Sequence, residues 1–361
     1  MRVLYFGTYE RDYPRNAQVI SCLRRAGVDV VEHHVGVWEG RRQSWRAGAG
    51  RIAALAAAEL RLLRRPRTEF DALVVGYPGH LDLPAARRAA GRRRPVVFNP
   101  LVSLWDTFVG DRRRFRPGSP AARALAAIDR RALRAADVVI ADTAASASHL
   151  AALAGLPSER FEVCLVGAEE RLFRPGWTPQ EPFTCLFVGK LIPLHGVSTI
   201  LDAARTAQEL RIRLVGSGQL ERLLDDRPPN VDWVRWVDYE RLPDELHGAG
   251  CALGIFGTSD KARRVIPNKA FQALACGTPL VTADTPAARE LLVDAESALL
   301  VPPGDAEALA AALRRLATDP ELARTLSEGG RAAYREYASE DVLGRRWRDV
   351  IERARALRSP R

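Results

Sequence analysis

Short apolar runs of strand length recur along the chain, separated by amphipathic stretches with the three-to-four-residue spacing of helices. Six such runs, at 2–6, 28–31, 72–76, 95–98, 137–141 and 161–166, occupy the first half. Six more follow, at 185–188, 212–215, 231–234, 251–256, 279–282 and 298–301. Strands joined by helical crossovers form parallel, doubly wound sheets, so the pattern predicts two of them. The rhythm breaks in Phe173-Arg-Pro-Gly-Trp-Thr-Pro-Gln-Glu-Pro182, where three prolines and a glycine interrupt it. The expected organisation is a first domain over 1–176, a linker over 177–182, a second domain over 183–336 and a terminal amphipathic helix within 337–361 that packs back toward the first domain. Open α/β sheets bind ligands at the carboxyl ends of their strands, so two such domains facing across a cleft would hold one there.

One helix carries more than a packing pattern. In Ile266-Pro-Asn-Lys-Ala-Phe-Gln-Ala-Leu-Ala-Cys-Gly-Thr-Pro-Leu-Val-Thr282, Pro267 is expected at the first helical position, where its missing N–H has no partner to lose. Gly277 is expected at the stop, where it tolerates a left-handed conformation. The amino end of such a helix directs free N–H groups and a positive dipole end outward, with Lys269 beside them, which suits a phosphate. The same succession of loop, helix and strand also builds ordinary surface structure in α/β proteins.

At 361 residues and 47% hydrophobic, the chain can bury a core in each of two domains. No apolar run reaches the ~18 residues of a membrane span, and the first residues read as a strand rather than a leader, so a cytoplasmic protein is expected. Five scattered cysteines without Cys-x-x-Cys spacing read as reduced, buried, small apolar residues. The net charge of +10 is lopsided: residues 1–180 hold 29 Lys+Arg against 18 Asp+Glu, and residues 181–361 hold 25 against 26. A basic first half suits an anionic partner, or only decorates its helices with arginine. The basic stretch 41–67, with Trp45, Ile52, Leu55, Leu60, Leu62 and Leu63, has the composition of an amphipathic helix for the inner face of an anionic membrane, although core packing would use the same apolar face. Without aromatic–basic interleaving or a recognition motif, nucleic acid is not an expected partner. Of the 54 cationic residues only three are lysines, Lys190, Lys261 and Lys269. An ammonium is a compact point charge and a guanidinium a planar fork, and two of the three lysines stand in segments that resemble anion sites on other grounds.

Those segments are the helix just described and the loop Phe187-Val-Gly-Lys-Leu-Ile-Pro-Leu-His-Gly196, which sets Lys190 and His195 five positions apart across a proline, two potential cations for a diphosphate. The matching loop of the first domain, Gly7-Thr8-Tyr9, lets backbone approach a ligand at Gly7 or merely turns the chain. Leu214-Val-Gly-Ser-Gly218 has two glycines of a dinucleotide fingerprint without the third or the acid that follows, so Gly216 lines a nucleotide or simply turns. A Walker loop, zinc-ligand spacing and a Gly-x-Ser-x-Gly elbow are missing, which leaves ATP hydrolysis, metallohydrolase and esterase chemistry without support.

In order, Val188-Gly-Lys-Leu-Ile-Pro-Leu-His-Gly196, Leu214-Val-Gly-Ser-Gly218, Asn268-Lys-Ala-Phe-Gln-Ala-Leu-Ala-Cys-Gly-Thr-Pro-Leu-Val281, Ala288-Arg-Glu-Leu-Leu292 and Leu300-Val-Pro-Pro-Gly304 resemble family 4 of the retaining, GT-B-fold glycosyltransferases. The resemblance is strong in the second domain and mainly architectural in the first. It implies an α/β, GT-B chain of two Rossmann-like domains that moves a sugar from a nucleotide-diphospho-sugar to an acceptor, keeps the anomeric configuration, and needs neither metal nor a further cofactor. It implies that Lys190 and His195 stand at the family's Arg/Lys pair on the donor diphosphate. His195 would be fully charged only when protonated, near an ordinary pKa of ~6.5, so Lys269 with Arg263 or Arg264 would reinforce the pair. Two family acids, eight positions apart, fall on Arg264 and Gln272; Gln272 can still hydrogen-bond a ribose hydroxyl, whereas Arg264 cannot copy an acid. In a front-face displacement the departing diphosphate takes the acceptor's proton, and the protein supplies charge and position. The catalytic candidates are therefore Lys190, at the leaving group, and two first-domain residues near the sugar, His80 in Gly76-Tyr-Pro-Gly-His80 and Asp106 in Leu104-Trp-Asp-Thr107, either of which could instead be structural. Rival readings are a GT-B sugar-nucleotide epimerase or phosphorylase and, because both family acids are gone, a non-catalytic nucleotide-sugar-binding protein.

Overall fold

A computed structural model of the chain describes residues 1–11, 13–37, 49–64 and 66–358. The expected membrane-surface stretch lies partly outside the described residues, Trp45 and the side chain of Ile52 included. The elements run β1 (Arg2–Gly7), α1 (Pro14–Arg25), β2 (Asp29–His34), α2 (Ala49–Leu62), β3 (Ala72–Val75), α3 (Leu83–Ala90), β4 (Val96–Phe98), α4 (Pro120–Ala135), β5 (Val138–Ala141), α5 (Ala144–Ala154) and β6 (Phe161–Val163). They continue with β7 (Thr184–Val188), α6 (Val197–Thr206), β8 (Arg211–Val215), β9 (Val231–Val234), α7 (Leu242–Gly248), β10 (Cys251–Leu253), α8 (Asn268–Cys276), β11 (Leu280–Ala283), β12 (Leu299–Val301), α9 (Ala306–Thr318), α10 (Pro320–Tyr337) and α11 (Glu340–Ala356).

The contacts divide the chain into two units, one of Met1–Val109, Arg114–Leu165 and Glu340–Arg361, the other of Gly110–Arg113 and Val166–Ser339. The first holds a parallel sheet in the order β2-β1-β3-β4-β5-β6 and the second one in the order β12-β11-β10-β7-β8-β9. Alternation along β1 shows why these runs are apolar throughout. Leu4 and Phe6 join one buried cluster with Leu73 and Phe98, while Val3 and Tyr5 join another with Val74 and Ile140. Successive strand side chains point to opposite faces, and a parallel sheet covered by helices buries both. The core of the second unit gathers Cys185, Phe187, Ile212, Leu214, Leu253 and Val281 in the same way.

All twelve predicted strands are present, some trimmed. The strand proper of the 251–256 run ends at Leu253, the Gly254 N–H still donates to the Val281 carbonyl and the Ile255 carbonyl accepts from Ala283 N–H, and at Phe256 the N–H turns to the His195 carbonyl instead. All five cysteines are buried and free. Residues 166–182 associate with the second unit rather than closing the first at 176. Phe173 is fully buried with its ring edge-on to Tyr239, the N–H groups of Gly176 and Trp177 donate to the Cys276 carbonyl, and the Trp177 indole donates to Ala249 O at 2.8 Å. The terminal helix begins at Glu340, Tyr337 still belonging to α10. It lies on the first unit, with Trp347 buried 5.6 Å from the Arg15 guanidinium of α1 and with Arg25 paired to Glu340 at 3.2 Å. Among the described residues no helix is long and apolar enough to cross a membrane.

Candidate functional site

In a doubly wound sheet the binding crevice opens where the strand order reverses. For the second unit that point lies between β7 and β10. The loop after β7 carries Lys190 and His195; the loop after β10 carries Lys261, Arg263 and Arg264 and leads into α8. The bond from Phe256 N–H to the His195 carbonyl, 3.2 Å, ties the two loops together.

His195 ends a single tight turn, Pro193–His195, and is buried with its ring edge-on to Phe187, centroids 5.6 Å apart. Its Nδ1 meets the Lys190 carbonyl oxygen, so Nδ1 holds the proton and Nε2 is the nitrogen that can gain one. Burial first, and then the charge of Lys269 with smaller contributions from Lys190 and Lys261, hold His195 well below the ordinary histidine value, against the pull of the Lys190 carbonyl. The sequence left His195 near the ordinary value of ~6.5; in the structure the ring is shifted below it, toward the neutral form. All three lysines of the chain act on this one imidazole. Lys190 is exposed and Lys261 is buried.

The helix behind Lys269 starts at Asn268, one position later than expected, because Pro267 keeps an extended ψ of 151° and only precedes the first turn. Gly277 closes it at φ 78°, as its tolerance of the left-handed region allows. Lys269 in that first turn sends its Nζ to 3.5 Å from the centroid of the Phe187 ring, where the nitrogen is buried and has no hydrogen-bond partner among the described residues. Burial holds the ammonium well below the ordinary lysine value. Beside it Gly189 has φ 152°, and a Cβ there would stand 2.9 Å from Lys269 Nζ and 3.2 Å from His195 Cε1. Glycine keeps the space between the two groups open.

The remaining candidates of this unit lie around that cluster. Gly216 packs against Gly189, where an added Cβ would lie 1.9 Å from the Gly189 carbonyl oxygen, so its missing side chain serves the junction of two loops. Gln272 is buried and its Nε2 donates to Tyr239 Oη over a long 3.4 Å. Burial, followed by Glu169, raises the Tyr239 phenol, so a carboxylate acts on the hydroxyl that Gln272 meets. Arg263 is exposed and Arg264 half-buried on the turn Ala262–Arg264 that follows Lys261.

The first unit reverses its strand order between β1 and β3, and Gly7 and His80 follow those strands. The space beside Gly7 is filled by Asp82: a Cβ would lie 2.0 Å from Asp82 Oδ2, and the same carboxylate accepts Thr8 N–H at 2.7 Å and Thr8 Oγ1 at 3.0 Å. Asp82 is buried and shares a hydrogen bond with Glu59 of α2; burial first, then Asp82, push the Glu59 carboxyl up to about 9. Two carboxyl groups can share such a bond only when one is protonated. The His80 ring is enclosed edge-on to Phe98, 5.2 Å between centroids, with Nε2 3.3 Å from Asp129 Oδ1 and Nδ1 without a partner. Burial lowers its pKa against the attraction of Asp129. Asp129, fully buried on α4, also accepts from Ser103 Oγ at 2.7 Å and from the N–H groups of Leu104 and Trp105 at 2.9 Å. Ser103 Oγ in turn accepts the N–H of Asp106, itself buried. One carboxylate therefore fixes both His80 and the loop of Asp106.

Asp129 and Lys261 are the residues that sequence reasoning missed. The signal for Lys261 was its rarity; for Asp129 it was a single acid in the helix Pro120–Ala135, on the face that is buried. Among the described residues no three His, Cys, Asp or Glu are grouped to hold a metal ion.

Two family models match the chain, a glycosyl transferase 4-like domain over residues 2–167 and glycosyl transferases group 1 over residues 182–319. The chain belongs to the family 4-type glycosyltransferases. Relatives of this glycosyltransferase chain include a lipopolysaccharide core biosynthesis glycosyltransferase of Rhizobium meliloti, 28% identical over 50% of this chain and 52% of the relative. A D-inositol 3-phosphate glycosyltransferase of Catenulispora acidiphila is 26% identical over 82% and 76%, and a phosphatidyl-myo-inositol mannosyltransferase of Mycobacterium leprae 31% over 43% and 42%. The chain thus spans about half the length of the first of these relatives (52%) and 42% of the third. Its fold is that of sucrose-phosphate synthase from Thermosynechococcus elongatus, with a TM-score of 0.75 at 18% identity over 99% of both chains. It is also that of Anabaena HepE in complex with UDP-glucose, at 0.67 and 17% identity over 98% and 100%. Two six-stranded parallel sheets with flanking helices make the architecture GT-B.

Proposed function

We propose that this chain is a retaining glycosyltransferase that moves a sugar from a nucleotide-diphospho-sugar to an acceptor hydroxyl without a metal, and that Lys190, Lys261 and Lys269 receive the donor's diphosphate. The observation that carries the reading is Lys269 Nζ, enclosed against Phe187 with no acceptor in the described chain. Buried polar groups have partners, so a nitrogen held this way beside two cation-bearing loops points to an anion that the described chain does not supply. HepE binds UDP-glucose, and a donor of that class suits this site.

As the bond to the sugar breaks, negative charge grows on the leaving phosphate oxygen. Lysines and the amino end of α8 stabilise it there, and such groups act most strongly where water is excluded. The same oxygen takes the proton of the attacking hydroxyl on the face that the diphosphate leaves, so configuration is retained and no protein base is needed. His195, with Nδ1–H on the Lys190 carbonyl, holds the loop that presents Lys190. Gln272 and Tyr239 take the ribose, and His80 with Asp106 orient the sugar and the acceptor. The relatives' names span a lipopolysaccharide core, an inositol phosphate and a phosphatidylinositol, molecules that all carry hydroxyl groups.

Incubation with a panel of nucleotide-diphospho-sugars in the presence of a chelator tests the reading. Release of nucleoside diphosphate and a glycoside of unchanged anomeric configuration by NMR support it. An isomerised donor, a phosphate-dependent reaction or binding without turnover would point to the epimerase, the phosphorylase or the silent binder. We also propose peripheral contact with the inner face of an anionic membrane through the first unit. In α2, Leu60 and the neighbouring Leu63 are 68% and 40% exposed beside Arg61 and Arg64, whereas Leu62 is fully buried in the core. Sedimentation with anionic liposomes at low salt and its loss at high salt are expected; failure to sediment at low salt refutes the contact.

A further inference from the structure

The chain writes arginine at all but three of its 54 cationic positions, and the three lysines meet at one site. A guanidinium keeps its proton in any protein environment, whereas an amine gives its proton up when burial disfavours the charge. Lys269 is placed where that difference counts. Its nitrogen touches the Phe187 ring, borders Gly189 and His195, and has no acceptor. Lys190 from the β7 loop and Lys261 from the β10 loop stand in the same cluster, and the titratable ring beside it, His195, is held neutral first by burial and then by the positive charge around it. Among the described residues the Phe187 face is the compensation an ammonium finds there, and burial outweighs it.

We propose that a nucleoside diphosphate entering this site brings a proton in from solvent, and that the enclosed amine of Lys269 receives it. This rests on the reading of the cluster as a diphosphate site. The free protein then avoids confining a positive charge in the enclosure beside Phe187. The bound anion supplies the missing acceptor, the amine becomes an ammonium, and the buffer gives up the proton; release of the nucleoside diphosphate after transfer returns it. An arginine at 269 would confine a permanent charge instead. Affinity falls with pH above the free-state pKa of Lys269, by roughly tenfold per pH unit, until the pKa of the complex is passed.

Isothermal titration of UDP, GDP, ADP and inorganic pyrophosphate, each in two buffers of different ionisation enthalpy, tests this. A pH of about 8.5 keeps the ligand fully ionised, above the ~6 second pKa of a phosphate group. The expected result is a buffer-dependent enthalpy corresponding to about one proton taken up by the wild type, retained in His195→Gln and lost in Lys269→Arg. Binding with equal enthalpy in both buffers overturns the proposal and leaves the diphosphate site standing. Uptake that persists in Lys269→Arg and vanishes in His195→Gln moves the proton to the imidazole and overturns the assignment to Lys269. If none of the four probes binds, the reading of the site falls, and the proposal with it. The wild-type and His195→Gln measurements decide the matter even where Lys269→Arg fails to fold.

Discussion

Replacing Lys269 by Met should move stability and ligand binding in opposite directions. In the free protein the substitution removes a buried nitrogen without an acceptor, a group whose burial costs about 1–3 kcal/mol. The contact of the neutral amine with Phe187 is replaced by a thioether against the same ring. A net gain of about 1–2 kcal/mol follows, or a rise of roughly 2–8 °C in the melting temperature of a domain of this size. In the complex the variant lacks a charge-assisted hydrogen bond to the diphosphate, about 1.5–3 kcal/mol, which weakens binding by roughly 10- to 150-fold. Thermal unfolding of the free protein and titration with the nucleoside diphosphate that binds the wild type measure the two effects. A variant that melts lower and binds as the wild type does would refute the reasoning, because Lys269 would then be a packed core residue satisfied by its aromatic neighbour.

Two further perturbations concern the first unit. Asp129→Ala removes the acceptor of one hydroxyl and two N–H groups and the partner of His80, and should cost about 3–5 kcal/mol in denaturant unfolding; a change within about 0.5 kcal/mol would contradict the role given to this carboxylate. The folded-state pKa of Glu59, about 9, lies above the ordinary 4.5 of the unfolded chain. The stability it contributes is therefore fully present below 4.5 and declines as pH rises through about 9. Glu59→Gln, which keeps a hydrogen bond to Asp82 at every pH, should flatten that decline, and equal pH slopes for variant and wild type would count against the shared proton.

The sheets were legible in the sequence because a strand buried on both faces leaves a short continuous apolar run, and twelve such runs survive as twelve strands. Their ends were less so. Nothing local marks where the 251–256 run leaves its neighbour, since Phe256 departs to reach His195, 61 positions earlier in the chain. The proline-rich stretch read as a free linker, but Phe173 and Trp177 anchor it to the second unit through partners that are likewise distant in sequence. At the site, Lys190, His195 and Lys269 stood out by loop position and residue type. Gly7 and Gly216 did too, yet the space beside them is taken by Asp82 and by the Gly189 backbone. The Glu59–Asp82 pair could not be read at all, and Asp129 was marked only as the single acid of its helix, because a buried acid is distinguished from a surface acid by what folds over it.

The diphosphate site stands or falls on how fast nucleoside diphosphate is released from a nucleotide-diphospho-sugar by the wild type and by the double variant Lys190→Ala/Lys261→Ala. Two lost charge-assisted contacts of about 1.5–3 kcal/mol each predict at least a roughly 100-fold slower release, with the double variant still folded by thermal unfolding. Release at the wild-type rate by that folded variant would contradict a diphosphate held by the lysine cluster.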